Sequence, residues 1–198
     1  TQTPRSATEE AARLAADMGV RTSLVRLPPS VHGKGDHAFL PMLIDLARQK
    51  GVSAFVGQGT NCWSAVHRKD AAQLFRLAFE KAKAGHRYHG IAESSIPFKN
   101  IAEAIGAQLE LPVVSQSEAE AAEHFQSFQP FVTMDCQASS SITRSELSTA
   151  FPILEVSIIM IKLIGTRIPT NDPSINKPLA KFSFQPLRNN ITIHFLRR

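Results

Sequence analysis

Arg26-Leu27-Pro28-Pro29-Ser30-Val31-His32-Gly33, taken with Ala65-Val66-His67-Arg68-Lys69-Asp70-Ala71-Ala72, decides the fold of this 198-residue chain. The first stretch closes a run, residues 20–27, whose valine, threonine and leucine favour a pleated backbone. Pro28 and Pro29 then end any ladder, since neither carries an N–H to donate, and force an extended turn. The second stretch opens a helix predicted from Ala71 to about Lys83, with Asp70 as its N-cap and Leu74, Leu77 and Ala78 facing inward. Both stretches therefore fall at element ends, where α/β folds gather their ligand contacts.

Working outward, strand and helix signals alternate. Ser6 and Glu9 have the spacing of a capping box, Ala11, Leu14, Ala15 and Met18 follow at helical intervals, and Gly19 stops that helix. Residues 39–50 read as a helix burying Leu40, Leu43, Ile44 and Ala47, with Gly51 as the stop. Short strands at 53–56 and 62–66 flank the turn-rich Gly57-Gln58-Gly59-Thr60-Asn61. Another strand is expected at 87–92, a helix opening at Pro97 and running to Leu109, and a short strand at 111–115. Ser117 and Glu120 form a second capping box ahead of Ala121, Ala122 and Phe125. Such alternation indicates an α/β unit and not a bundle or a sandwich.

Charge is uneven along the chain. Residues 1–150 hold 15 Lys/Arg and 15 Asp/Glu, whereas 151–198 hold 7 and 2, so the last 48 residues carry the whole formal net charge of +5. The sequence pI near 9.5 thus describes a tail and not the body. Two cysteines, Cys62 and Cys136, make neither a disulfide framework nor a metal set, and with no secretory signal in the opening residues they favour a reducing, cytoplasmic setting. The apolar stretch at 153–164 is too short to span a bilayer and contains Glu155 and Lys162, so a membrane role is not expected.

The two opening stretches, in this order and at this spacing, resemble the second half of an extended short-chain dehydrogenase/reductase, the NAD-dependent epimerase/dehydratase group. In that family an Arg-Pro-x-x-Val-Tyr-Gly-like turn runs beside the nicotinamide, and a later Val-His-Val-x-Asp-x-Ala segment supports the substrate lobe. The resemblance runs from about residue 8 to 147 and is densest from Val20 to Pro112. At its end Ser140-Ser141-Ile142-Thr143-Arg144-Ser145-Glu146-Leu147 is similar to the family's Thr/Arg-x-x-Leu-Gly-Trp stretch, but Ser148 and Thr149 replace the Gly-Trp. The implied fold is α/β, a partial Rossmann-like unit over residues 1–147, followed by a divergent basic tail over 148–198. A frame change or retained intron is the expected origin of that tail.

The resemblance implies NAD or NADP as cofactor and a small polar substrate, sugar-nucleotide-like or carbonyl. It assigns Pro28, Pro29, Ser30 and Val31 to the nicotinamide wall; the plainer reading is a proline-locked strand end. His32 stands where the family most often has tyrosine, and an imidazole there can bond a substrate or fill a polar corner. Lys34 and His37, with Asp36, occupy a loop facing the substrate, or simply a solvated one. Trp63 walls the pocket or belongs to the core. Arg68 reaches a phosphate or carboxylate, or stays a solvated helix-start arginine, while His67 is expected to be a buried brace. His86 and His89, in a strand start, point to opposite faces, so no metal site is assigned.

What the family uses for chemistry is not matched here. A dinucleotide cradle needs a Gly-rich strand-to-helix turn. Gly33-Lys34-Gly35 followed by Ala38 and Gly57-Gln58-Gly59 followed by Cys62 each lack the third glycine. The Tyr-x-x-x-Lys pair is missing too: Tyr88 is the sole tyrosine, and Ala92 stands four residues on. No catalytic residue is assigned, and the chain is expected to lack a nucleotide-binding half. Three functions follow: the substrate lobe of a longer NAD(P)-dependent enzyme; a non-catalytic fragment expected to associate, with a homo-oligomer as one form, through exposed apolar surface and residues 156–161; and nonspecific phosphate binding by tail residues such as Lys177, Lys181, Arg188, Arg197 and Arg198, with no specific nucleic acid expected.

Overall fold

Three small sheets, with helices packed on them, make up the computed structural model, which describes residues 4–147 and 191–197. In chain order the elements are α1 (Pro4–Asp17), β1 (Arg21–Leu27), β2 (Ser30–His32), α2 (Phe39–Lys50), β3 (Ser53–Val56), β4 (Cys62–His67), α3 (Arg68–Lys81), β5 (Arg87–His89), β6 (Glu93–Pro97), α4 (Phe98–Leu109), β7 (Val113–Gln116), α5 (Glu118–Phe125), a 3-10 turn and the one-turn α6 (Gln129–Val132), α7 (Ser141–Leu147) and β8 (Ile191–Arg197). The sheets are ordered β5-β1-β8, β2-β4-β6 and β3-β7. β1 with β5, β2 with β4 and β3 with β7 are parallel; β4 with β6 and β1 with β8 are antiparallel. The expected α/β architecture is present, with strands brought together by long crossovers.

Two apolar clusters hold these layers. The larger joins Leu40, Leu43, Ile44 and Ala47 of α2 to Phe55, Trp63, Phe98, Ile101, Ile105 and Phe125. The second gathers Val25, Leu27, Val66, Leu74, Ala78, Tyr88 and Leu147. β4 supplies Trp63 to one and Val66 to the other, so this strand couples them. Gly106 shows how closely α4 approaches β7: a Cβ there would lie 2.4 Å from Val113 Cγ2.

Local signals placed several ends well. α2 covers the anticipated residues, buries the four expected side chains and stops at Gly51 in the left-handed conformation. Ser117 and Glu120 close the reciprocal capping box at the start of α5. Other expectations are corrected. Ser6 and Glu9 form no capping box, because α1 begins at Pro4 and Glu9 instead pairs with Arg26 of β1. Asp70 is not the cap of α3; His67 is, its ring accepting the Lys69 amide, and Asp70 lies in the first turn. The chain after Pro29 is no mere turn, since residues 30–32 pair with β4. The strand expected at 87–92 is formed only over β5, Arg87–His89, and β6, Glu93–Pro97, was not anticipated. Gly90, just beyond β5, still donates its amide to the Arg26 carbonyl at 2.8 Å, and it packs too closely for a side chain: a Cβ there would sit 2.9 Å from Leu27 Cδ2 and 3.0 Å from Leu74 Cδ2. The readings placed on 148–190, including the apolar stretch at 153–164 and most of the basic tail, lie outside the described residues.

Candidate functional site

The two stretches that carried the sequence reading are neighbours in register. Ser30 pairs with Ala65, Val31 with Val66 and His32 with His67, side by side in one parallel ladder. On the far side of β4, Ala65 pairs with Glu93 of β6. Paired residues share a face and alternate residues repeat it, so Ser30, His32, His67 and Glu93 lie on one face, while Val31 and Val66 turn into the second core. This face stands at the C-terminal ends of parallel strands, where the chain turns into α2 and α3.

His32 is the most unusual group on it. The side chain is 2% exposed, and neither ring nitrogen has a hydrogen-bond partner among the described residues. Its Nε2 is 3.9 Å from Oε1 of Glu93, and its ring centroid is 5.5 Å from that of His67. Burial, followed by the adjacent His67, lowers the imidazole pKa from about 6.5 to about 4, so His32 is neutral near pH 7. Gly33 follows it with φ +150°, and a Cβ there would lie 2.9 Å from Cγ and Cδ of Arg68. Glycine thus lets the arginine stem lie across the end of β2, holding an exposed guanidinium at the rim. Lys34 and His37 are exposed in the following loop. Asp36 turns inward to accept the Ala38 amide at 2.8 Å, and burial raises its carboxyl pKa against that bond.

Of the residues singled out from sequence, Pro28 is buried and Pro29, Ser30 and Val31 are half-buried beside this face. His32, Lys34, His37 and Arg68 gather at the same end. Trp63 does not. It lies at the other end of β4, 1% exposed, with Nε1 donating to the Phe131 carbonyl at 3.2 Å and its ring against Phe39 and Phe98. Glu93 was missed by sequence reasoning, because β6 has no apolar alternation and Glu93 became visible only through its register with Ala65. A serine-rich groove of about 230 Å³, lined by Ser94, Ser139, Ser140, Ser141 and Arg144, was likewise unanticipated.

Tyr88 is structural. It is fully buried, and its hydroxyl donates to Glu146 at 3.2 Å and accepts the Lys83 amide at 3.3 Å. Burial pushes the phenol pKa up, which is opposite to what a catalytic tyrosine needs. His86 bonds the same carboxylate at 2.8 Å, so this polar cluster docks α7 on the sheet. His89 is held separately by the Ser139 carbonyl. Burial, with Asp135 beside it, raises the Cys136 thiol. Among the described residues no cluster of His, Cys, Asp or Glu is arranged to hold a metal ion, and no helix is long and apolar enough to cross a membrane.

The chain is similar to solved structures of sugar-nucleotide enzymes. It superposes with a TM-score of 0.57 on a dTDP-glucose 4,6-dehydratase from Streptomyces venezuelae with NAD bound, at 14% identity, over 78% of this chain and 47% of that one. With a UDP-N-acetylglucosamine 4-epimerase from Methanobrevibacter ruminantium the TM-score is 0.58 at 15% identity, over 81% and 51%. The fold is Rossmann-like. In sequence it is 54% identical over 144 residues to an uncharacterized protein of Schizosaccharomyces pombe, covering 73% of this chain and 49% of that protein. An uncharacterized protein of Saccharomyces cerevisiae is 52% identical over 143 residues, 72% and 48%. The chain spans about half the length of these curated relatives. No family model matches it.

Proposed function

We propose that residues 1–147 form the C-terminal portion of a Rossmann-like domain together with a substrate lobe, belonging to an NAD(P)-dependent, cytoplasmic oxidoreductase, epimerase or dehydratase. The reading is carried by the ladder that sets residues 30–32 beside 65–67, which places both motif stretches on one wall. Pro28, Pro29, Ser30 and Val31 are the residues of this wall offered to a nicotinamide, and His32, Lys34, His37 and Arg68 those offered to a small polar, sugar-nucleotide-like or carbonyl substrate. The matched solved structures extend to about twice the matched length, and those from Streptomyces venezuelae carry NAD, which supports the cofactor class.

These residues fit one wall of a dinucleotide site and supply no pyrophosphate cradle. Gly33 receives the Arg68 stem, and Gly59 packs against Lys99 and Phe55, so neither glycine pair frees a row of amides for phosphate. Fragment status and lack of activity in the 198-residue form are therefore part of the proposal, as is a divergent tail at 148–198, supported by the charge shift and by matches to 144 and 143 residues. Calorimetric titration with NADH and NADPH tests the reading: this chain should show no saturable binding, and a longer form carrying a Gly-rich half should bind. Tight binding by the 198-residue chain, or none by the longer form, overturns it.

A further inference from the structure

A nearly buried imidazole with two unpartnered nitrogens needs a physical reason, because buried polar groups otherwise find partners. The 3.9 Å gap between His32 Nε2 and Glu93 Oε1 supplies one for Nε2. It is too long for a direct hydrogen bond, yet an alcohol oxygen placed about 2.8 Å from each would subtend an angle of about 90°, accepting from Nε2–H and donating to the carboxylate. Glu93, 12% exposed, is the partner that reaches solvent. A carboxylate beside a neutral imidazole repels phosphate and selects a group that both accepts and donates, while the cationic Arg68 lies beyond Gly33 at the rim.

We propose that His32 and Glu93 form a clasp for a single alcohol hydroxyl in an uncharged, polyhydroxylated part of a ligand. The proposal rests on the placement of the substrate wall above and names the chemical group this wall takes. A residue kept for binding at a cost in stability also predicts that its removal stabilises the fold, because an apolar side chain of similar volume leaves no orphaned nitrogen.

The test uses the 198-residue chain labelled with 15N in its histidine rings, titrated with myo-inositol and with glucose, and with inorganic phosphate as the anionic control. A saturable shift of the His32 ring resonances with the polyols and not with phosphate is expected, lost in Glu93→Ala. His32→Leu should melt at a higher temperature than the parent. Absence of a saturable shift, an equal shift with phosphate or in Glu93→Ala, or a lower melting temperature for His32→Leu each overturn the clasp. Cofactor binding by the longer form is measured separately, so failure of the clasp is distinguishable from failure of the functional reading.

Discussion

Trp63 and His67 stand four residues apart on one strand, and the two ends of β4 differ in how their buried polar groups are satisfied. At the Trp63 end every strong group is matched: the indole N–H has its carbonyl, and Phe39 and Phe98 meet the ring edge-on. At the His67 end the paired His32 is equally buried and satisfied at neither nitrogen. Burial alone therefore does not distinguish core from candidate site. Whether the buried polar atoms are satisfied does, because an orphaned donor or acceptor raises the free energy of the fold without contributing to packing.

The most severe way to break the contrast is Trp63→Ala, which should destabilise the protein by about 3–5 kcal/mol in urea unfolding, as expected for truncating a large buried aromatic. A loss below about 1 kcal/mol would mean that this end is not the packed one. Acid sharpens the other end. His32 resists protonation in the folded state, so its ionisation costs the fold nothing above pH 6.5, and stability is lost as pH falls from there toward about 4. The shift sets an upper bound of about 3 kcal/mol, read as a drop in melting temperature across that window that His32→Leu should reduce.

Smaller in size and opposite in sign, His32→Leu at pH 7 should gain about 1–2 kcal/mol in the same urea experiment, from removal of unsatisfied groups. A loss would make His32 a brace like Trp63 and dissolve the comparison. Ser117→Ala, remote from both ends, calibrates the scale: it removes the reciprocal cap of α5 and should cost about 1 kcal/mol. If that variant also altered the acid response, the response would not belong to His32.

The helices were legible wherever the decisive interaction is local. Gly51 closes α2 and Ser117 with Glu120 opens α5 through contacts within a few residues, so spacing and side-chain type suffice. The reading failed where a distant partner intervened. Ser6 has the right spacing to Glu9, but that carboxylate is taken by Arg26 of β1. Asp70 has the chemistry of a cap, yet β4 runs on to His67, whose ring caps one turn earlier than Asp70 would.

For the site, residue type and order sufficed to single out 28–32 and Arg68, because prolines and a histidine at strand ends are visible in one dimension. That these stretches touch, that Glu93 closes the face and that Trp63 stands apart from it were decided only by strand pairing. A strand leaves its hydrogen bonds and one face to be completed by residues far away in the chain. By itself the sequence determined the alternation of helix and strand and the chemical stock at each end. Only the tertiary structure decided which of the buried polar groups would be satisfied.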